Sequence, residues 1–324
     1  MNDLRALSPD ASGRGASSGN DVLAPLPETY YNRPLLKKPH WNWEVITYLF
    51  MGGVMGGSGL LCALTDDKTD PDLARSTRYL AFALSATCPI ILIKHLGRPE
   101  RFHHMLRIAK WRSVMSMGVW GLLLFSFPAS VGAAGQASRD GLLPRWISKL
   151  APRVLTDSLC ALLGAFMGGY TGVLLSATAI PVWGIGKRHI PAFSLCSGIA
   201  GACAANNLIL VLTGGSQRSI AKVERFELVA SIAELALILD FKRHAGKLGD
   251  PMFAGPRGAK LMNYTELGGI VAPALLALIP VHGRWKTTLA SLMTLAGGYV
   301  LRETLIESGK NSADDPRAAS RQPE

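Results

Sequence analysis

Eight apolar stretches of roughly twenty residues recur along this 324-residue chain, separated by short and mostly basic loops. The hydrocarbon core of a bilayer is about 30 Å thick, so an α-helix needs about 20 apolar residues to cross it. The pattern therefore predicts an all-α, polytopic membrane protein whose eight transmembrane helices form a bundle. The predicted spans are residues 43–65, 76–96, 113–135, 154–180, 190–213, 222–241, 264–283 and 286–306.

Both ends of the chain differ from the spans in composition. Residues 1–28 contain no apolar run, so they are interpreted as a flexible tail rather than a cleavable signal peptide. Residues 311–324 have a similar polar composition and are interpreted as a second flexible tail. Residues 29–310 then form one transmembrane domain.

Lysine and arginine are distributed unevenly between the two faces of the predicted bundle. An even number of spans puts both termini on one face, which carries 22 Lys and Arg residues against 12 on the other. The positive-inside rule then places the termini in the cytoplasm and the protein in the inner membrane. A basic face can also dock a partner, so the orientation stays open.

The cysteines and histidines argue against a resident metal centre. The five cysteines lie within apolar spans and form no C-x-x-C pair, which favours buried small hydrophobic residues over iron–sulfur or zinc ligands. The seven histidines lie at span ends or in loops, whereas haem b needs axial imidazoles inside helices. We therefore expect neither haem nor an iron–sulfur cluster on this chain.

Three glutamates of the sixth span fall on one helical face. At about 100° per residue, Glu224, Glu227 and Glu234 lie at about 0°, 300° and 280°. Because carboxylates in a membrane are costly and usually functional, this row is a hypothetical proton path, with Asn206 and Asn207 as partners of Glu234. The alternative is a structural hydrogen bond from Glu234 alone, with the other two glutamates solvated.

Two tyrosines lie at comparable, shallow depth below the terminal face. Tyr48 is near the start of the first span, and Tyr170 precedes the end of the fourth. Glycines at small-xxx-small spacing, such as Gly52 and Gly56, accompany them and predict close helix packing or room for a flat ring. Phenols beside glycines can donate hydrogen bonds to a quinone, although tyrosine also commonly anchors helices at the interface.

Four ordered motifs resemble those of the NrfD family of polysulfide-reductase-type membrane subunits. They are YYNRPLLKKPHWNWEVITYLFMGGVMGG, HLGRPERFHHMLRIAKWRSVMSMGVW, GGYTGVLLSATAIPVW and GYVLRETLIESGKNSADDP. The resemblance covers about residues 29–316. It implies a haem-free integral subunit that exchanges electrons between menaquinone or ubiquinone and a ferredoxin-like [4Fe–4S] partner. A molybdopterin catalytic subunit often completes such complexes, and no nucleic acid is involved.

The resemblance also implies roles for individual residues. Tyr170 matches a family tyrosine that contacts the quinone, while the first span contributes Tyr48, with polar edges from Trp41 and Asn42. Val45 stands where the family can carry a polar residue and cannot donate a hydrogen bond.

The loop of residues 98–112 has apolar side chains at helical spacing between basic ones, which is typical of an interfacial helix. The resemblance implies a second use for this loop, in which Arg98 and Arg101 position the iron–sulfur partner.

Three functions compete at this point. The first is a quinone-reactive anchor of a respiratory oxidoreductase, in which this protein supplies the quinone site rather than the catalytic centre. The second is a secondary transporter with an intramembrane carboxylate, which predicts discontinuous helices around a midplane site. The third is a passive membrane anchor.

Overall fold

The computed structural model describes residues 36–314 except 108, 111 and 280–282, and this part of the chain is helical throughout, without a strand. The predicted tail 1–28 and residues 315–324 lie outside the described residues, while residues 311–314 continue the last helix. Eight long helices account for most of the fold: α1 Trp43–Leu64, α2 Pro71–His95, α3 Val114–Arg139, α4 Arg153–Ser176, α5 His189–Thr213, α6 Gln217–Ala245, α7 Gly255–Leu278 and α8 Arg284–Asp314. Within α7, residues Leu261–Val271 form a π-helix.

Local sequence explains several helix boundaries. The Ser113 side chain accepts a hydrogen bond from the Ser116 backbone N at 3.5 Å and caps α3, and Ser216 caps α6 by accepting from Ser219 N at 3.2 Å. Gly214 ends α5 with a φ of 76°, a left-handed conformation that glycine adopts without a steric penalty. α1 to α6 begin and end within five residues of the predicted spans, whereas α7 begins nine residues earlier than predicted and α8 ends eight residues later.

Six of the long helices combine the length and apolarity needed to cross a bilayer within the described part of the chain, namely α1 to α5 and α7. The prediction of eight such spans is therefore only partly confirmed. The sixth and eighth predicted spans exist as α6, with 29 residues, and α8, with 31 residues. Their several charged residues lower the hydropathy of both helices, although some of these charges are buried inside the protein.

The connections contain short helices. A 3₁₀ turn, Pro99–Arg101, and a one-turn helix, His104–Arg107, lie between α2 and α3. The predicted interfacial helix over 98–112 is thus much shorter than its hydrophobic pattern indicates. Further short helices are Trp146–Leu150, Pro181–Ile185, Gly246–Gly249 and Asp250–Phe253. We call the side where α1 begins and α8 ends the terminal face, and the side where α1 ends and α2 begins the opposite face.

Glycine contacts bring α1 against two neighbours. A Cβ added to Gly56 would lie 2.5 Å from the Gly164 carbonyl oxygen and 2.6 Å from the Gly168 nitrogen, both on α4. On its other side, Gly57 packs against the backbone of Gly198 in α5. Because lipid supplies no hydrophobic drive between helices, such contacts are a main source of packing energy. The predicted packing role of these glycines is confirmed.

A buried arginine joins three helices near the opposite face. Arg78 of α2 is 3% exposed and binds Asp157 of α4 through Nε at 3.1 Å and Nη2 at 2.6 Å. Its Nη1 donates to Asp67 at 2.6 Å and to Gln136 of α3 at 2.8 Å. Arg153 also pairs with Asp67. All three nitrogens of the guanidinium are therefore satisfied by side chains from separate segments.

A second ion pair ties the start of α2 to α6. Lys222 Nζ donates to the Asp70 carboxylate at 2.7 Å. This hydrogen bond holds the pKa of Asp70 below its usual value. Such a carboxylate stabilises the fold above the pKa of the unfolded chain, about 3.9, and loses this contribution as the pH falls through its lower folded value.

We expect Asp70→Asn to lower the unfolding temperature at pH 7, because the Lys222 ammonium loses its ionised partner. The difference from the parent protein should shrink below about pH 4, where Asp70 itself becomes protonated. Thermal unfolding in detergent between pH 3 and 8, followed by circular dichroism, measures this. The exposed Asp66 supplies the control, Asp66→Asn. If the two unfolding temperatures differed by the same amount at every pH, the ionised form of Asp70 would not be what stabilises the fold.

The cysteines and histidines lie where the sequence predicts. All five cysteines are free, four of them buried and Cys196 partly buried. His95, His189 and His244 lie at the ends of α2, α5 and α6. His282 lies outside the described residues.

Candidate functional site

Two buried tyrosines meet on the terminal side of the bundle. Tyr48 of α1 is 3% exposed and Tyr170 of α4 is 4% exposed, and both belong to one cluster of buried side chains. Tyr170 lies six residues before the end of α4 at Ser176, so the two phenols share the depth that the sequence predicts. Cys88 of α2 also lies near Tyr48.

The two hydroxyls differ in their hydrogen bonds. Tyr170 Oη donates to the Val114 carbonyl oxygen at 2.7 Å, at the start of α3. The Tyr48 hydroxyl has no hydrogen-bond partner among the described residues. Tyr48 as a residue is 3% exposed, and its free hydroxyl is a donor that a ligand can use. Tyr170 keeps its oxygen lone pairs as acceptors.

Gly118 of α3 makes room for the Tyr170 ring. A Cβ at this position would overlap the phenol, its oxygen included. Gly52 of α1 lies nearby, with its Cβ position 3.5 Å from Thr171. Our sequence reasoning missed Gly118 and Val114, because no local pattern reveals which residue of α3 faces Tyr170.

Trp41 and Asn42 occupy different surroundings from the tyrosines. The Trp41 ring stacks on the buried Trp183, with centroids 5.2 Å apart and an interplanar angle of 16°. Trp183 Nε1 donates to the Leu305 carbonyl oxygen at 2.8 Å, which fixes the stack against α8. Asn42 is exposed and immediately precedes α1. The structure therefore brings Tyr48 and Tyr170 together and places Asn42 at the surface.

Arg98 and Arg101 are both exposed at the 3₁₀ turn that follows α2. Neither forms an ion pair within the described part of the chain. They lie on the terminal face, on the same side of the bundle as the tyrosine pair.

The glutamate row of α6 faces the protein interior. Glu227 is 7% exposed and accepts hydrogen bonds from Thr294 of α8 at 2.8 Å and Asn207 of α5 at 3.1 Å. Glu224, which is partly buried, accepts from Thr287 at 2.8 Å. Glu227 is therefore not solvated, contrary to the alternative, whereas Glu224 is partly exposed and lines an open cleft.

Glu234 is 3% exposed, and its neighbours differ from the predicted ones. It contacts Ser197 of α5 and interacts electrostatically with Arg302 of α8. The predicted amide partners bind elsewhere, because Asn207 donates to Glu227 and Asn206 accepts from Ser76 at 2.8 Å.

Arg302 is the site residue that our sequence reasoning missed. It is 2% exposed, and its Nη2 donates to the Ser194 carbonyl oxygen at 3.0 Å. The same nitrogen lies 3.3 Å from the Cβ position of Gly53. Our charge count placed Arg302 on the basic terminal face, whereas the structure buries it. Its position in the motif GYVLRETLIESG was the available signal.

Comparisons with known proteins point to one family. A family model described as polysulphide reductase, NrfD, matches residues 34–253, which contain α1 to α6. Protein NrfD homolog of Haemophilus influenzae is 27% identical over 319 residues, covering 83% of this chain and 94% of that protein. Protein NrfD of Escherichia coli is 27% identical over 223 residues, covering 62% of this chain and 70% of that protein.

A third relative has a name that refers to a multi-subunit enzyme. The C subunit of polysulfide reductase from Wolinella succinogenes is 24% identical over 301 residues, covering 83% of this chain and 94% of that protein. The family match includes both tyrosines and all three glutamates. Together with its long apolar helices, the match shows that this multi-pass membrane protein belongs to the polysulphide reductase NrfD family.

Proposed function

We propose that this protein is the quinone-reactive membrane anchor of a respiratory oxidoreductase complex. The observation that carries the proposal is the Tyr48 hydroxyl, which has no hydrogen-bond partner among the described residues although Tyr48 lies in the same hydrophobic core as Tyr170. A bound menaquinone or ubiquinone supplies two-electron, two-proton redox chemistry. The protein itself supplies hydrogen bonds and an apolar slot.

The two phenols suit the two ends of a quinone headgroup differently. Tyr48 can donate its O–H to a quinone carbonyl, because no residue in the described structure uses it. Tyr170 already donates to Val114, so its oxygen can accept a hydrogen bond from a quinol hydroxyl. In this arrangement one tyrosine favours the oxidised headgroup and the other the reduced one.

The proposed electron partner binds at the terminal face. Arg98 and Arg101 are exposed there and free to pair with acidic residues of a ferredoxin-like [4Fe–4S] subunit. The relative named as a subunit of polysulfide reductase supports a multi-subunit assembly, in which a molybdopterin subunit would hold the catalytic centre. We infer that the terminal substrate is reached only through these partners.

We further propose that α6 and α8 also cross the membrane, which completes eight spans and puts both termini on the cytoplasmic side. Burial of Glu227, Glu234 and Arg302 supports this, because side chains shielded by neighbouring helices do not meet lipid. The transporter alternative fits less well. It requires discontinuous helices at the midplane, whereas α5, α6 and α8, which carry Asn207, Glu234 and Arg302, are continuous, and α7 changes to a π-helix over Leu261–Val271 without a break.

Replacing Tyr48 with phenylalanine tests the quinone site. We expect the KM for a short-chain naphthoquinol to rise at least fivefold in membranes containing the whole complex, because the loss of one hydrogen bond costs about 1–3 kcal/mol. Tyr170→Phe should act similarly. Tyr264→Phe is the matched control, since Tyr264 is 62% exposed on α7. Unchanged quinol oxidation in both tyrosine variants would favour the passive anchor.

A further inference from the structure

A basic cleft opens on the opposite face, where three helices meet. It has a volume of about 1060 Å³, including its open mouth, and lies between the start of α6, the end of α7 and the start of α8. Arg218 of α6 and Lys286 of α8 line its polar side, whereas residues 277–279, at the end of α7, form an apolar wall. The cleft therefore offers cationic and apolar side chains to the same ligand.

Two exposed arginines of α6 beside the cleft have no counterion. Arg218 also lines a neighbouring cleft of about 790 Å³, mouth included, together with Arg225. Neither arginine forms an ion pair or a hydrogen bond among the described residues. Asp70 interacts electrostatically with Arg218, but its carboxylate is already paired with Lys222 at 2.7 Å. This edge of the protein therefore carries uncompensated positive charge.

Lys286 adds a third positive charge, which is buried. The residue is 8% exposed, and its Nζ donates to the Ile279 carbonyl oxygen at 2.9 Å. An ammonium group has three N–H donors, so two of them have no acceptor in the described part of the chain. Glu224 also lines the cleft, but its carboxylate accepts the Thr287 hydroxyl at 2.8 Å and forms no ion pair with the lysine. Because a buried cation is costly without an anion, the cleft favours a negatively charged ligand.

The residue next to Lys286 indicates the depth of the cleft in the membrane. Trp285 is 63% exposed at the start of α8, and exposed tryptophan is typical of the membrane interface. From there toward the bilayer centre, the exposed side chains of Leu278 and Leu275 continue the apolar wall along α7. The cations therefore lie at the depth of lipid headgroups, and the leucines lie at the depth of acyl chains.

α7 is the helix that gains most from a ligand in this cleft. Only 28% of its apolar stretch is buried inside the protein, the smallest share among the six apolar spans of the described structure. The cleft separates its last turn from the first turns of α6 and α8. A ligand that fills the cleft would contact all three helices at once.

We propose that one anionic phospholipid of the phosphatidylglycerol type binds in this cleft, with its phosphate between Arg218 and Lys286 and its acyl chains on the exposed leucines of α7. Charge selects the lipid, because the ammonium group of a zwitterionic lipid balances its own phosphate and would face Arg225. The lipid joins α7 to α6 and α8. The proposal does not depend on the quinone site, because Tyr48 and Tyr170 lie on the terminal side of the bundle.

Native mass spectrometry of the full-length protein in detergent counts bound lipids directly. Delipidated protein is titrated with phosphatidylglycerol and, separately, with phosphatidylcholine of the same acyl chains. We expect one phosphatidylglycerol to bind at least about fivefold more tightly than phosphatidylcholine. Equal affinity for the two lipids would overturn the proposal. Equal affinity for glycerol 3-phosphate, which has no acyl chains, would identify a site for soluble anions and overturn it as well.

Arg218→Gln tests the cation that binds the phosphate, and its side chain is exposed, so the fold should tolerate the change. We expect the affinity for phosphatidylglycerol to fall about fivefold, while the affinity for phosphatidylcholine stays unchanged. Arg243→Gln is the matched control, because Arg243 is exposed at the other end of the same helix. An equal loss in both variants would show a general attraction of anionic lipid to basic side chains, which would contradict a specific site.

Ala277→Phe tests the cleft without changing its charge. Ala277 lines the cleft, so a phenyl ring there would occupy part of the space for the lipid. We expect the affinity for phosphatidylglycerol to fall at least about fivefold. Ala259→Phe is the control, because Ala259 is exposed near the start of the same helix. Unchanged affinity in Ala277→Phe would show that the lipid binds elsewhere.

Thermal unfolding in nanodiscs tests whether the lipid joins the three helices. Since a ligand that binds only the folded state stabilises it, the parent protein should unfold at a higher temperature in phosphatidylglycerol than in phosphatidylcholine. Arg218→Gln should lose this difference and match the parent protein in phosphatidylcholine. If phosphatidylglycerol raised both unfolding temperatures equally, the stabilisation would not come from this cleft.

Discussion

Arg78→Met is expected to destabilise the bundle by about 3–5 kcal/mol, because it leaves buried carboxylates without their cation. Arg78 satisfies Asp157 and Asp67 at once, so its loss affects α2, α4 and the loop between α1 and α2 together. Methionine retains most of the side-chain length, which limits any cavity. Thermal and denaturant unfolding of the detergent-solubilised protein, followed by circular dichroism, measures the loss.

Arg75→Met is the control for Arg78→Met. Arg75 is one turn earlier in α2 and pairs with Asp140 at 2.8 Å, but its side chain is 54% exposed. The loss should be about 0–1 kcal/mol, because Arg75 is largely solvated and Asp140 keeps its hydrogen bonds from Tyr79 and Gln136. Adding Asp157→Leu to Arg78→Met should recover part of the stability, because it removes one of the unpaired carboxylates. Equal effects of Arg75→Met and Arg78→Met would show that burial of the ion pair is unimportant.

Gly56→Val is expected to separate α1 from α4 and to lower the free energy of unfolding by about 1–3 kcal/mol. The new Cβ would meet the backbone of Gly164 and Gly168 at 2.5–2.6 Å, and backbone atoms cannot rotate away. Because α1 and α4 also carry Tyr48 and Tyr170, quinol oxidation should fall along with stability. Unfolding temperature and naphthoquinol turnover measured on the same preparation test both effects.

Gly169→Val is the comparison for Gly56→Val. Gly169 is on α4, next to Gly168, but a Cβ there has no atom within 4 Å. This substitution should change stability by less than about 0.5 kcal/mol. A large effect of Gly169→Val, or a small effect of Gly56→Val, would contradict the close packing of the two helices.

Much of the helical architecture could be predicted from the sequence, because span length and apolarity are local properties. The spacing of Glu227 and Glu234 indicated one face of α6, and both glutamates are buried. The depth of Tyr48 and Tyr170 followed from residue counting along two antiparallel helices. These predictions required only the geometry of single helices.

The remaining features depend on how helices rotate against one another, which no local pattern specifies. Residue counting along the antiparallel fifth and sixth spans places Asn207 at the depth of Glu227 rather than Glu234, and the packing of α5 on α6 joins these two side chains. In the sequence Arg302 lies near the end of the eighth predicted span, where a charged side chain is usually solvated. Only its contacts with Ser194 and Gly53 show that it is buried. The same buried charges explain why α6 and α8 are less apolar than the other spans.

The burial of the native thiols has a practical consequence for deciding which face meets the cytoplasm. Four of the five cysteines are buried and Cys196 is only partly accessible, so a membrane-impermeant maleimide will react slowly with the parent protein. A single cysteine introduced at Lys68, in the exposed loop between α1 and α2, or at Lys187, in the exposed loop between α4 and α5, then gives a specific label. Labelling of intact cells can therefore report sidedness in an otherwise native protein.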